Sequence, residues 1–379
     1  MLYFDHNATS PLHPAARKAW LDAADQFIGN PSSLHRVGAR ADAALNGARE
    51  NLGKILGCEA LDIVFTSGAT ESANTVFHHT ARTLAPGTEV WVSAIEHPCV
   101  MEAARHHFPE RHRLIPVNPD GKVDLTWLAS RLKRHRPGLL AVMAVNNETG
   151  VIQPTLEVFA LCRTNGIPFF CDAVQAIGKL PAAGLGQYDW VSGSAHKFGG
   201  SRGVGFLKCP VKVRVEPLLR GGAQEEGRRA GTENVPGVLS MIAALEAREK
   251  SLGDARIVLR TAFECRLLKA LPGAKIVAAK SPRVWNTVLA LMPETDCRAR
   301  WVVKLDKLGV AASSGSACAS GKAEPSPVLT GMGYSSADAA RAVRFSAGWE
   351  TAATDWDQLI TSLVQAHREM KPTRQKSHT

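Results

Sequence analysis

The run Tyr188-Asp189-Trp190-Val191-Ser192-Gly193-Ser194-Ala195-His196-Lys197 starts apolar, breaks into small polar residues and ends on a lysine. A short apolar run bounded by turn residues, here Gly199-Gly200-Ser201-Arg202-Gly203, predicts a buried strand that delivers its last residues to the edge of a sheet. Taken alone, Lys197 reads as a solvated loop lysine, because lysine is seldom buried. Desolvation would instead lower its pKa towards neutrality, and an uncharged amine attacks carbonyl groups. The neighbouring segments favour the second reading.

Working outward, further short apolar runs at 62–66, 89–95, 139–145, 167–171, 189–192 and 204–207 alternate with helical periodicity at 71–84, 100–108, 125–134 and 156–164. This βαβ alternation predicts a mostly parallel sheet covered on both faces. From about residue 240 the pattern changes to a helix at 241–249, then mixed strands and helices ending in a helix at 355–370. The expected organisation is a large α/β domain over 15–249 and a smaller α+β domain built from 1–14 and 250–379. The segment Ser313-Ser314-Gly315-Ser316-Ala317-Cys318-Ala319-Ser320-Gly321 has the composition of a loop in that smaller domain.

With 379 residues, 45% of them hydrophobic, the chain has material for a large core. Its formal charge of +10 comes from 45 Lys and Arg scattered among 35 acidic residues, with no basic stripe interleaved with aromatics. Direct nucleic-acid binding is therefore not expected. The 8 cysteines show no Cys-x-x-Cys spacing, which argues for a reducing compartment rather than disulfides or an intrinsic metal cage. The N-terminus has no signal-like apolar core and no run approaches membrane-spanning length, so a cytoplasmic protein is expected.

Ligands of open α/β sheets bind beyond the carboxyl ends of the strands, and the residues there form a compatible set. Thr66-Ser67-Gly68-Ala69-Thr70-Glu71-Ser72 opens a helix whose free N–H groups suit a phosphate, although an ordinary N-cap looks the same. Glu96-His97 supplies an imidazole able to stack on a planar ring or carry a proton. Asn146-Asn147-Glu148-Thr149-Gly150 is an amide-rich turn. Asp172, at another strand end, is either a helix cap or a carboxylate that keeps a pyridinium nitrogen protonated, with Gln175 three residues on in reach of the ring's phenolic oxygen. Ser194, His196 and Lys197 complete the layer. Each member has a plain structural explanation, but together they describe a pyridoxal 5′-phosphate site.

These segments, with Tyr3-Phe4-Asp5-His6-Asn7-Ala8-Thr9, Asn30-Pro31-Ser32-Ser33-Leu34-His35, Arg229-Ala230-Gly231-Thr232-Glu233-Asn234, Ser314-Gly315-Ser316-Ala317-Cys318 and Arg344-Phe345-Ser346, resemble the pyridoxal-phosphate-dependent cysteine desulfurases of the NifS/IscS-like, class V aminotransferase type over essentially the whole chain. The resemblance implies a transferase fold of the aspartate aminotransferase type. It implies that Lys197 is the Schiff-base lysine, Asp172 holds the pyridine nitrogen, Gln175 the phenolic oxygen, and His97 stacks on the ring. Ala69, Thr70, Ser194 and His196 would hold the phosphate, and Thr232 the phosphate of the other subunit in a homodimer. Asn147, beside the cofactor, and Arg344 would bind the substrate carboxylate, a task suited to a guanidinium fork.

By the same resemblance Cys318 is the nucleophile that takes sulfur from L-cysteine, leaving alanine, with Lys197 moving the α-proton and His97 as a further catalytic residue. The persulfide passes to an acceptor such as an iron–sulfur scaffold, for iron–sulfur or nitrogenase clusters or other thiolation, and Cys318 could ligate a cluster transiently. The 26-residue separation of Cys318 and Arg344 resembles the long-loop branch. Trp349 stands where that branch usually has arginine, and the tail lacks its acidic, aromatic extension, so the acceptor stays open. Rival readings are another class V enzyme, a selenocysteine lyase or aminotransferase, which leaves Cys318 without an essential role, and a non-enzymatic sulfur carrier or RNA-binding protein, which leaves Lys197 and Asp172 unexplained.

Overall fold

The computed structural model describes residues 1–253, 255–295, 300–314 and 325–370. Strand β1 is Leu2–Tyr3. Strands β2 (Ile63–Thr66), β3 (Val90–Ser93), β4 (His112–Ile115), β5 (Leu139–Ala141), β6 (Phe169–Asp172), β7 (Trp190–Ser194) and β8 (Gly205–Lys208) form a 7-stranded sheet of order β2-β8-β7-β6-β5-β3-β4. Pairs β3–β4, β3–β5, β5–β6 and β6–β7 are parallel, while β8 is antiparallel to both β2 and β7. Strand β2 therefore points the same way as β3 to β7, and the carboxyl ends of these strands share one edge. Their Val-, Ile- and Phe-rich runs are buried on both faces, as a sheet covered by helices requires.

One face carries a core that includes Leu45, Leu52, Val142, Phe169, Val191 and Leu245, and the other a core that includes Phe77, Val92, Phe108, Phe170 and Leu207. The helix Arg36–Leu56 contributes Ala41, Leu45, Ala48, Leu52 and Leu56, a stripe at helical spacing. It stops at Gly57, whose φ of 78° is the left-handed cap that glycine adopts without strain. Strands β9 (Lys275–Ile276), β10 (Thr287–Leu291) and β12 (Ala342–Ser346) make a second, antiparallel sheet, and β11 (Val310–Ala311) pairs in parallel with β1. Here the core gathers Phe4, Phe263, Val288, Phe345, Trp356 and Leu359, so the first residues of the chain pack with the last.

Most expected elements lie where the periodicity puts them, with ends moved by a few residues. The helices Pro14–Gln26 and Arg36–Leu56 and strand β4 were not expected; as for β4, this outermost strand buries only Ile115 fully and exposes Arg113 and Leu114. A half-wet edge strand carries no apolar run to read.

A buried ion pair fastens the loop after β8 to the main sheet. The Glu225 side chain is fully buried, accepts from Arg49 at 2.8 and 3.1 Å, and takes the Phe65 N–H at 3.1 Å. Removing one partner strands the other charge. Arg49→Met is expected to lower the unfolding free energy in urea by about 3–5 kcal/mol, and adding Glu225→Gln should recover much of that loss. A loss below about 1 kcal/mol would mean that the pair behaves as a solvated surface contact.

Candidate active site

The shared carboxyl edge of the sheet opens into a cavity of about 480 Å³. Its walls bring together the residues that the sequence placed at separate strand ends: Ala69 and Thr70 after β2, His97 after β3, Asn147 after β5, Asp172 and Gln175 from β6, and Ser194, His196 and Lys197 from β7. Close packing of glycines sets the wall. A Cβ on Gly205 would meet Gly193 O at 2.5 Å and Gly68 Cα at 2.6 Å, so bare backbone lets the loop after β2 lie against β7 and β8.

That loop leads into the helix Ala69–Thr83, whose cap residue Gly68 supplies no side-chain hydrogen bond to the first turn. The N–H groups of that turn therefore face the cavity as an anion cradle. Glu71 would oppose an anion there, but it is tied back by the Ser67 N–H at 2.8 Å and by Arg229 at 2.9 Å, and these contacts hold its carboxyl below the ordinary range although burial pushes the other way. Arg202 also lines the cavity, a cation that the sequence presented only as part of a turn.

Asp172 is buried at the end of β6, where its Oδ1 accepts from the Val174 N–H at 3.0 Å and the Ser192 hydroxyl at 3.3 Å. Burial raises its pKa, while His97 and Lys197 pull it down. For His97 burial lowers the pKa and the charge of Asp172 opposes it. Glu96 is the acid that gives way. Fully buried, with Oε1 on the Met143 N–H at 2.7 Å and Asp172 nearby, it is pushed well above the usual carboxylate range. His97 caps its helix by accepting the Cys99 N–H at 3.2 Å, and its ring faces the cavity from there.

Lys197 leaves a 3-10 turn after β7 and donates to the peptide carbonyls of Asn7 at 2.7 Å and Ala8 at 2.8 Å. Asn7 is the central residue that sequence reasoning missed, although the stretch 3–9 was singled out. Its Nδ2 donates to Asn147 O at 3.1 Å and Thr287 Oγ1 at 2.9 Å, its N–H to Ser346 Oγ at 3.0 Å, and its carbonyl also takes Gln175 Nε2 at 3.0 Å. Arg344, 1% exposed on β12, reaches Asn147 O at 3.0 Å and makes a 2.7 Å ion pair with Asp5 of the same stretch 3–9. The side chain of Asn147 is held at the cavity with its Oδ1 buried and without a partner among the described residues.

Two predicted residues stand apart. Thr232 is exposed and does not line this cavity. Cys318 lies outside the described residues. Burial raises the thiol pKa of Cys58 and Cys209 to about 11 and of Cys162 to about 12, and pushes Cys171 well up, so these four are poor thiolates. Trp349 packs on His13 at 5.4 Å and takes the Arg248 cation on its face at 5.3 Å, closing the loop at Gly199, where a Cβ would meet its ring at 2.6 Å. Among the described residues no group of His, Cys, Asp and Glu has the makings of a metal site, and no helix is long and apolar enough to cross a membrane.

The chain matches the aminotransferase class V family over residues 2–359. A cysteine desulfurase of Klebsiella pneumoniae is 38% identical over 369 residues, covering 96% of this chain and 91% of that protein. Among solved structures, a NifS-like protein superposes with a TM-score of 0.87 at 30% identity, over 97% of this chain and 99% of its own. A structure of SspA in complex with cysteine superposes with a TM-score of 0.81 at 26% identity, over 91% and 98% of the two chains.

Buried histidines make the site sensitive to acid. His6 and His196 are each lowered from 6.5 to about 4, by burial first and then by neighbouring cations. The unfolded chain takes up protons near 6.5 that the folded chain refuses until about 4, so stability is full above pH 6.5 and is lost as pH falls through that window. Urea titrations from about pH 7 to about pH 4.5 should show this decline, and His6→Leu should flatten it; a native protein with no slope there would contradict the burial of these rings.

Proposed function

The chain belongs to the aminotransferase class V family, and we propose that it is a cysteine desulfurase that converts L-cysteine to L-alanine and holds the sulfur as a persulfide on Cys318. The observation that carries the reading is the convergence, in one cavity, of an amine seated on peptide carbonyls, a buried carboxylate, an imidazole and an open helix N-terminus, in a chain 38% identical to a cysteine desulfurase.

The residues present fit pyridoxal 5′-phosphate. Asp172 would keep the pyridine nitrogen protonated, since one oxygen is spent on Val174 and Ser192 while the residue still faces the cavity. Gln175 would serve the phenolic oxygen, His97 the ring face, and the first turn at Ala69 and Thr70, with Ser194 and His196, the phosphate. When bound, pyridoxal phosphate supplies an electron sink for charge that develops on the substrate's α-carbon. Lys197 lines the cavity at the end of β7 together with Asp172 and His97, and would carry the α-proton. Arg344 and Asn147 would orient the substrate carboxylate. The Cys318 thiolate attacks the substrate sulfur, so the S–S bond forms as the Cβ–S bond breaks, and protonation of Cβ yields the methyl group of alanine.

The exposed position of Thr232, away from the cavity of its own chain, supports a role at the phosphate of a second copy, and hence a homodimer. The division into 15–249 and 1–14 with 250–379 puts the cofactor on the large unit and Cys318 on the small one. The persulfide would pass to an acceptor protein such as an iron–sulfur scaffold, in a reducing, cytoplasmic setting that keeps the thiol available.

Cys318→Ala should still bind the cofactor and L-cysteine, with their spectral changes intact, yet release neither alanine nor sulfide above background. Mass spectrometry of the native protein after cysteine treatment should find the extra sulfur on Cys318. Alanine and sulfide formed by the variant at the native rate would contradict the persulfide route and favour a lyase.

A further inference from the structure

One layer behind the cavity wall lies a lysine that the mechanism above does not use. Lys179 follows Gln175 through a tight turn, in which Lys179 N and Leu180 N bond Ala176 O at 3.0 and 2.9 Å, and it is 6% exposed. Its backbone is fixed by Trp285, whose Nε1 donates to Lys179 O at 3.1 Å. Among the described residues its Nζ reaches two amide oxygens and no carboxylate: Asn7 Oδ1 at 2.8 Å and Gln175 Oε1. The charges that act on it, Lys197, Arg344 and Arg248, are all cationic, and with burial as the largest cause they hold its pKa well below the ordinary lysine value.

The partners of this amine decide how the Gln175 amide lies. With Oε1 on Lys179, the Nε2 edge donates one N–H to Asn7 O at 3.0 Å and keeps the second for the cavity that Gln175 lines. Turning the amide over would set N–H against the amine's N–H and Oε1 against the Asn7 carbonyl, two repulsive contacts in a buried site. Asn7 is locked in the same way, since its Oδ1 takes Lys179 and Asn286 Nδ2 at 3.1 Å while its Nδ2 is committed to Asn147 and Thr287.

We propose that Lys179 is a positioning residue, whose N–H donors fix the Gln175 amide so that an N–H, and not the carbonyl, faces the phenolic oxygen of the bound cofactor. The inference rests on the assignment of Gln175 to that oxygen, so the test separates the two. Lys179→Met, Gln175→Ala and the double variant are loaded with pyridoxal 5′-phosphate, and the pH midpoint of the visible absorption band is titrated in each. Gln175→Ala should raise the midpoint, because a phenolic oxygen without its donor holds the proton on the Lys197 nitrogen more tightly. Lys179→Met should raise it by about one pH unit when Gln175 is present and leave it unmoved when Gln175 is absent.

An equal shift in both backgrounds would make Lys179 a direct electrostatic partner of the cofactor and overturn the proposal. So would no shift with Gln175 present. A Gln175→Ala protein with the native midpoint would overturn the Gln175 assignment and the inference with it. Should Lys179→Met fail to fold, the same cycle is run with Lys179→Gln, which keeps an N–H donor on a shorter arm and should show a smaller shift that again vanishes without Gln175.

Discussion

The amine of Lys197 rests on the peptide carbonyls of Asn7 and Ala8, from a segment 190 residues away in sequence, and the remainder of the site is arranged around that contact. A half-buried amine needs acceptors, and here they are backbone groups that stay neutral at every pH. Their position depends on Asn7, which ties together the second sheet through Thr287 and Ser346 and the first through Asn147, Gln175 and Lys179. Catalytic geometry and the docking of the two sheets are therefore one network. A change at Asn7 would loosen Lys197 and the seam together.

Charge within the pocket is resolved in a similarly economical way. Three acids lie at or just behind the wall, and each is treated differently. Burial beside Asp172 pushes Glu96 well above the usual carboxylate range, burial raises Asp172 against the pull of His97 and Lys197, and Glu71 is turned towards Arg229. Thiol chemistry is partitioned too. The four cysteines buried in or beside the cores have their pKa values raised, which makes them poor thiolates.

Much of this was legible in the sequence because it depends on local order. Parallel strands place consecutive strand ends on one edge, so apolar runs at 62–66, 89–95, 139–145, 167–171 and 189–192 named in advance the residues that line the cavity. What could not be read depends on tertiary pairing. Asn7 and Asp5 lie in the stretch 3–9 that was singled out, but they and Lys179 act through partners far away in the chain, and no local pattern names those partners. Strand β4 was invisible for a related reason, because an edge strand wet on one side has no continuous apolar signal. Arg344 was expected to bind a carboxylate, and the structure adds its ion pair to Asp5.

The account stands on Lys197 being the residue that holds the cofactor, and chemical trapping tests this directly. The protein loaded with pyridoxal 5′-phosphate is reduced with borohydride, digested and mapped by mass spectrometry. A pyridoxyl group on Lys197, absent from Lys197→Ala treated in the same way, is the predicted result. A protein that takes up no reducible cofactor, or that carries it on Lys179 or a surface lysine instead, would contradict the reading of this site.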